Sequence, residues 1–107
     1  MAKIEKERIG QYLQTAFKII KGNDGKMPSK EVTNQTGKKL NLSEYEKERY
    51  EKSGYIRWES ILHFYSIDCV KAGWLIKKKG VWYITDEGIE ALKLSTLDFI
   101  NTAQQKY

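Results

Sequence analysis

The spacing of apolar residues along the chain predicts mostly helices, with one short stretch of a different period. Between Ile9 and Ile20, apolar side chains recur every three or four residues, which places them on one stripe of a helix. The segment Gly22-Asn23-Asp24-Gly25 follows, and glycine and asparagine accept the left-handed conformation found just past a helix end. The pattern therefore predicts a first helix that ends before this turn.

Four further helices are predicted from capping residues and from the same helical spacing. Ser29 is a good N-cap for the second helix, which Gly37 would end. Ser43 and Glu46 have the spacing of a capping box and mark the start of the third helix. Thr85 is able to cap the last helix. The predicted helices cover residues 3–21, 29–36, 43–52, 57–72 and 86–104.

The period changes after the fourth helix, where short stretches of aromatic and branched residues predict strands over 74–77 and 81–84. Lys78-Lys79-Gly80 separates them, and the glycine supplies the conformation of a hairpin turn. Because a two-stranded hairpin is marginal alone, one of its faces is expected to pack on the helices. The residues predicted to face inward are Leu75, Trp82 and Ile84.

A chain of 107 residues suits one domain with one core. The predicted stripe of the fourth helix consists of Trp58, Leu62, Tyr65, Cys69 and Ala72. Helices followed directly by a hairpin predict a winged helix-turn-helix, which is mainly α with a small β-hairpin (α+β). We expect a single domain over residues 1–107.

The basic residues are unevenly distributed along the chain. The formal net charge is +5, which makes a polyanion a plausible partner. Four lysines and no acid occur from Lys71 to Lys79, whereas four acids and two lysines occur from Asp86 to Tyr107. This distribution predicts a basic side and a more acidic side of the folded domain.

Other features exclude several classes of protein. No run approaches the roughly 18 to 20 apolar residues that a membrane span needs, and Met1 to Glu7 alternates in charge where a signal peptide would be apolar. We therefore expect a cytoplasmic protein without membrane contact. The single cysteine, Cys69, and the single histidine, His63, exclude an internal disulfide and the usual zinc sites, so no metal or cofactor is expected.

No catalytic constellation is found. A restriction-type nuclease needs an acidic residue and a Glu/Gln-x-Lys triplet on strands of a core sheet, so that carboxylates hold Mg²⁺ beside a lysine. Gln104-Gln105-Lys106 matches this triplet in letters only, because it lies at the end of a predicted helix. We expect this chain not to be an enzyme by itself.

Two runs around the hairpin carry a sequence signature. Val70-Lys71-Ala72-Gly73-Trp74-Leu75-Ile76 is followed by Gly80-Val81-Trp82-Tyr83-Ile84-Thr85-Asp86-Glu87-Gly88. They resemble the K-A-G-hydrophobic-hydrophobic and G-V-aromatic-x-I-T-x-x-G pattern of the N-terminal domain of Mrr-like restriction endonucleases. The resemblance implies a bacterial winged-helix module that reads DNA. It also implies a separate nuclease domain, reached through the last helix, that cuts modified and often methylated DNA. Phe64 and Ile61 stand where that family often has tryptophan and arginine.

Double-stranded DNA, including modified DNA, is the predicted partner. The outward face of the fourth helix would enter the major groove, which is about 12 Å wide, and lysines would neutralise phosphates. Ser60 and His63 can hydrogen-bond a base edge or a phosphate, and Phe64 or Ile67 can contact the methyl group of thymine or methylcytosine. The predicted contacts come from Lys30, Arg57, Ser60, His63, Phe64, Ile67, Lys71, Lys77, Lys78 and Lys79.

Alternatives exist for these residues and for the whole chain. Phe64 and Ile67 would instead pack on neighbouring helices, and the hairpin lysines would serve as a solubilising surface. The chain would instead be a complete transcriptional regulator that forms a homodimer through its first and last helices. A third hypothesis is a protein-interaction winged helix that binds no nucleic acid and uses the aromatic face around Tyr55, Phe64 and Tyr83.

Overall fold

Apolar stripes on the helices meet in one core, to which three short strands add an antiparallel sheet. The computed structural model describes residues 3–105. In chain order the elements are α1 (Lys6–Lys21), β1 (Lys26–Pro28), α2 (Ser29–Lys39), α3 (Glu44–Lys47), α4 (Arg57–Lys71), β2 (Leu75–Lys78), β3 (Val81–Ile84), α5 (Asp86–Ala91) and α6 (Thr96–Gln105). The predicted class is confirmed, because the chain is mainly helical with a small sheet in a winged-helix-like arrangement.

The sheet contains one strand that the sequence pattern did not predict. The unpredicted strand is β1. The strand order of the sheet is β1-β3-β2, and Met27 of β1 pairs with Trp82 of β3. Both side chains are buried, so β1 closes the core beside the hairpin. Three residues are too few to show a period of two, and Pro28 is typical of strand ends and edges, which is why the pattern did not reveal β1.

The predicted hairpin is confirmed, with its first strand one residue later than expected. Lys79 and Gly80 both have positive φ, 52° and 77°, which is the geometry of a two-residue type I′ turn. Lys78 therefore pairs with Val81 and belongs to β2. Leu75 and Trp82 are buried and Ile84 is half-buried against the core, as predicted. All three tryptophans of the chain are buried.

The second helix does not end at Gly37, and Ser29 is not its cap. Pro28 is the N-cap, Ser29 is the first helical residue, and no side chain caps the helix. The helix continues to Lys39 because Gly37 faces the Trp58 ring, where a Cβ would lie 2.9 Å from a ring carbon. The glycine thus permits close packing of α2 on α4.

The third helix is shorter than predicted. Its capping box is present, since Ser43 Oγ accepts from Glu46 N and Glu46 Oε1 accepts from Ser43 N. The helix nevertheless ends at Lys47, because Glu48 is held by another part of the chain. Arg57 N donates to Glu48 O at 2.8 Å, and the Arg57 guanidinium forms an ion pair with the Glu48 carboxylate at 2.8 Å.

The last predicted helix is broken into α5 and α6. Gln14 of α1 donates to Leu94 O at 3.0 Å and accepts from Thr96 Oγ1 at 2.9 Å, which holds the break against α1. Ser95 Oγ accepts from Asp98 N and caps α6. At the other helix ends the corrections are small, since α1 begins at residue 6 and α4 ends at residue 71.

Thr85 joins the end of α4, the hairpin and α5. Its Oγ1 donates to Gly73 O at 2.7 Å and accepts from Gly88 N at 3.0 Å, which confirms it as a cap. Its backbone N donates to Trp74 O at 3.1 Å. Gly73 has a φ of 84°, and a Cβ on Gly88 would lie 2.3 Å from Trp74 O. Glycine is therefore required on both sides of this threonine, and these contacts fix the base of the hairpin.

A buried carboxylate joins α1 to α3. Glu46 accepts from Arg8 Nε at 2.7 Å and from the Tyr12 hydroxyl, in addition to the backbone of Ser43. Burial opposes its ionisation, but these hydrogen bonds and the Arg8 charge outweigh burial and lower the pKa of Glu46 to about 2. Glu46 is thus ionised in the folded protein even at mildly acidic pH.

We predict that Gly88→Ala destabilises the domain. The new Cβ would clash with Trp74 O, and this overpacking should lower the free energy of unfolding by about 2 kcal/mol or more, despite the roughly 1 kcal/mol that alanine gains in a helix. Urea unfolding measures the difference. The control is Gly22→Ala, where φ is −72° and the nearest atom lies 3.4 Å from the new Cβ. Equal stability of Gly88→Ala and the parent would contradict this prediction.

We predict that Glu46 makes stability depend on pH. A carboxyl whose pKa falls from 4.5 to about 2 on folding stabilises the fold above the unfolded pKa, and this stabilisation is lost as the pH falls through the folded pKa. The free energy of unfolding should therefore decline by about 3 kcal/mol from pH 5 to pH 2.

Glu46→Gln should remove most of that decline and destabilise the protein at pH 7 by about 3 kcal/mol, because it leaves Arg8 without its partner. Denaturant titrations at a series of pH values measure both effects. Glu44→Gln is the control, since the Glu44 side chain is 92% exposed on the same helix. An unchanged pH profile in Glu46→Gln would contradict the assignment.

Candidate nucleic-acid interface

Helix α4 buries one face and presents the other to solvent. Its buried residues are Trp58, Leu62, Ser66 and Cys69. The rings of Trp58 and Tyr12 of α1 pack edge to face with centroids 5.6 Å apart, which holds the helix against the core. On the outward face Phe64 is 66% exposed, Ile67 46% and Val70 38%. Phe64 and Ile67 therefore do not pack into the core, and the central part of this face is apolar.

His63 stands at the border of this face and is fixed by α2. Thr33 Oγ1 donates to Ser29 O at 3.1 Å, so it accepts from His63 Nε2, which lies 3.0 Å away. Nε2 thus carries the hydrogen, and Nδ1 is the acceptor. Burial, and then the charge of Lys77, lowers the pKa of His63 below its usual 6.5, so the imidazole is neutral at pH 7. The rings of His63 and Trp82 also pack in a T-shaped arrangement, with centroids 5.4 Å apart.

Lys77 connects the hairpin to α4. In the strand register it opposes Trp82 on the inner face of the sheet. Its Nζ donates to Ser66 Oγ at 2.6 Å and lies 4.6 Å from the centroid of the Trp82 ring. Burial lowers the pKa of Lys77. This ammonium therefore connects β2 to α4, while Lys77 as a whole residue is still exposed, and its contact with DNA stays a prediction.

Lys78 and Lys79 are exposed at the hairpin tip, and Lys30 is close to them in the fold. Ser29 N donates to Gly80 O at 2.8 Å, which brings the start of α2 against the turn. Lys30, the second residue of α2, is exposed as well. The structure thus brings three of the predicted lysines to one end of the sheet.

Arg57 and Lys71 lie at opposite ends of α4. The Arg57 guanidinium pairs with Glu48, donates to Tyr45 O at 2.8 Å and lies 4.0 Å from the centroid of the Tyr45 ring. These contacts give Arg57 a structural function at the start of the helix, and a role in DNA contact stays a prediction. Lys71 is exposed at the last residue of the helix.

Sequence reasoning missed one apolar member of the outward face of α4 and one exposed apolar residue of the hairpin. Val70 follows Phe64 and Ile67 at intervals of three residues, so the helical period could have revealed it. Ile76 is 51% exposed on the face of β2 opposite to Leu75, as strand alternation requires. The resulting surface has an apolar centre on α4 and lysines toward its periphery. Ser60, half-buried in the first half of α4, lies beside it.

The described residues are also relevant to three earlier expectations: no bound metal, no membrane contact and no nuclease site. Within residues 3–105, no three His, Cys, Asp or Glu side chains come together in a way that could hold a metal ion. No helix in that range has the length and apolar character to cross a bilayer. Gln104 and Gln105 end α6, and Lys106 lies outside the described residues.

Comparison with known proteins gives a family match. The family model of the Mrr N-terminal domain matches residues 10–94. This range runs from α1 through α5 and so includes α4 and the whole sheet. No curated protein and no solved structure matches the chain.

Proposed function

The chain belongs to the Mrr N-terminal domain family, which links it to Mrr-type restriction systems, and on this basis we propose that it is a DNA-targeting module of such a system. In this proposal the chain binds double-stranded DNA and supplies no catalytic group. Cleavage would require a nuclease domain elsewhere in the system.

The observation that carries the proposal is the outward face of α4 beside a basic hairpin tip. The 15 residues of α4 pack on the core along one side only, which leaves the other side free to enter a major groove. Lys78 and Lys79 at the tip and Lys30 at the start of α2 would contact phosphates on either side of that groove. Such contacts release counterions and give affinity that falls with salt.

The apolar centre of α4 supports a preference for methyl-bearing bases. Phe64 and Ile67 are exposed, and an apolar side chain in the major groove can contact the C5-methyl group of thymine. A methyl group on cytosine occupies the same position in the groove. Modified DNA is therefore the substrate that this surface suits best, and Ser60 and His63 would hydrogen-bond neighbouring base edges.

The same apolar surface favours one alternative function, a protein-interaction domain. Phe64 and Tyr55 are 66% and 69% exposed and Tyr83 is half-buried, and aromatic residues are common at protein interfaces. A homodimeric regulator has less support, because the apolar stripes of α1 and α6 pack against each other within one chain. The DNA-binding experiment below separates the first two functions.

We predict that the chain binds duplex DNA with an affinity that falls as salt rises, and that Lys78 and Lys79 contribute to this binding. Fluorescence anisotropy at several salt concentrations measures the slope of log K against log salt. Replacing both lysines by alanine should weaken binding to all sequences and lower that slope by about 0.9 for each phosphate that is no longer neutralised. No binding to duplex, or binding indifferent to salt, would contradict the proposal and favour the protein-interaction alternative.

A matched control removes the same charge elsewhere. Lys21 ends α1 and Lys93 follows α5, and both elements lie at the base of the hairpin, opposite to its tip. The double variant Lys21→Ala/Lys93→Ala should keep most of the affinity and of the salt slope. An equal loss in both double variants would indicate only a response to net charge.

We predict that Phe64 and Ile67 determine discrimination between bases. Phe64→Ala and Ile67→Ala should each reduce the preference for a methylated over an unmethylated duplex, by about 1 kcal/mol or more for each base that the side chain touches. The salt slope should stay unchanged, because neither residue would bind a phosphate. Competition anisotropy with both duplexes measures the preference. Weaker binding to both duplexes with an unchanged preference would contradict this assignment.

A further inference from the structure

A cavity of about 320 Å³ lies beside the first half of α4. It is lined by Tyr55, Ile56, Glu59, Ser60 and His63. Two of these residues, Ser60 and His63, also border the outward face of α4, so the cavity adjoins the candidate interface. Its volume is at the lower end of the range for small-ligand sites.

Glu59 gives this cavity an acceptor that has no hydrogen-bond partner among the described residues. Its side chain is half-buried and accepts no hydrogen bond from any residue in the range 3–105. Burial raises the pKa of Glu59, and the charge of Arg49 only partly opposes that effect. A carboxylate in such surroundings is stabilised by a ligand that brings N–H donors.

The other polar groups of the cavity complement the same kind of ligand. His63 Nε2 is bound to Thr33, which leaves Nδ1 as the acceptor of the ring. The Ser60 hydroxyl can donate or accept. On the apolar side, the ring of Tyr55 is 69% exposed and offers a surface for stacking. The cavity therefore combines two acceptors, one hydroxyl and one aromatic face.

We propose that this cavity binds a single unstacked nucleobase that carries an exocyclic amino group. The amino group of cytosine, adenine or guanine would donate to Glu59, and the base would stack on Tyr55. Thymine has no amino group, and its N3–H lies between two carbonyl oxygens that would approach the carboxylate with it, so thymine is disfavoured. The inference rests on the proposed function for its DNA context and adds a second element of base recognition next to α4.

The base would come either from a single strand or from a duplex by extrusion, and both sources present the same ring. Extrusion costs least where a base is already unpaired. A cavity that adjoins the face of α4 is within reach of a strand that follows that face. The chemistry of the cavity is the same in both cases, and the experiments below distinguish the sources.

The direct test is a titration of the isotope-labelled protein with cytidine monophosphate, with thymidine monophosphate as the comparison. We expect cytidine monophosphate to shift the amide resonances of Tyr55, Glu59, Ser60 and His63, with about tenfold or greater preference over thymidine monophosphate, as a hydrogen bond to a charged acceptor allows. Absence of shifts at these residues with either nucleotide would overturn the proposal.

Glu59→Gln provides the specific variant. A side-chain amide can both donate and accept, so it should bind either nucleotide and reduce the preference for cytidine to nearly none. Glu7→Gln on the exposed side of α1 removes the same charge and should leave the preference unchanged. An unchanged preference in Glu59→Gln would also overturn the proposal.

Anisotropy measurements distinguish the two sources of the base. The three duplexes contain one bulged cytosine, one bulged thymine or an abasic site. Extrusion from a duplex predicts about tenfold tighter binding to the cytosine bulge than to the thymine bulge, and loss of that difference in Glu59→Gln. Binding of all three duplexes with equal affinity, together with cytidine-specific shifts, would indicate a base taken from a single strand.

The same measurements separate failure of this inference from failure of the proposed function. Duplex binding without nucleotide shifts would leave the DNA-targeting function intact and reject the cavity. Nucleotide shifts without duplex binding would reject the duplex-targeting function and keep the cavity as a base-binding site.

Discussion

The hydroxyl group of Thr85 holds together the parts of this fold on which the candidate interface depends. It donates to Gly73 O just after α4 and accepts from Gly88 N in the first turn of α5, so the base of the hairpin has one position relative to α4. Gly73 and Gly88 are both needed because one has a left-handed backbone and the other lies against a carbonyl oxygen. These residues also belong to the signature by which the sequence resembles its family. These residues of the signature therefore encode where the hairpin lies relative to α4.

The second attachment between hairpin and helix uses a residue that sequence reasoning assigned to DNA. Lys77 reaches Ser66 from the inner face of the sheet, whereas its neighbour Lys78 pairs with Val81 near the turn. Strand alternation could have predicted this difference, since Lys77 lies two residues after the buried Leu75. Within the lysine run, Lys77 thus has a structural contact with α4, and all three lysines are exposed, so their contact with DNA stays a prediction. Composition indicated the charge of the hairpin correctly but could not assign each ammonium group.

Most of the fold could be predicted because its stripes are strong and its turns contain glycine. The errors in the helix boundaries share one cause, which is contact between residues far apart in the sequence. Gly37 looks like a helix end but lies inside α2, because the Trp58 ring packs on it. The last helix looks continuous, yet Gln14 holds Leu94 O and breaks it. Local propensity cannot include such contacts, and for the same reason the cavity beside α4 has no counterpart in the sequence pattern.

The candidate interface is uncharged at its centre and basic at its periphery, so different residues would supply affinity for DNA and discrimination between bases. Phe64 and Ile67 are uncharged and His63 is neutral at pH 7, so the centre of the face contributes little long-range attraction to a polyanion. Attraction must then come from the peripheral lysines, whose effect does not depend on base sequence. Glu59, close to the centre, would repel a phosphate and is favourable only where a base brings an N–H donor to it. If α4 enters DNA as proposed, a carboxylate at this position would penalise a wrong ligand more than it strengthens binding of the right one, and the domain would gain specificity without gaining much affinity.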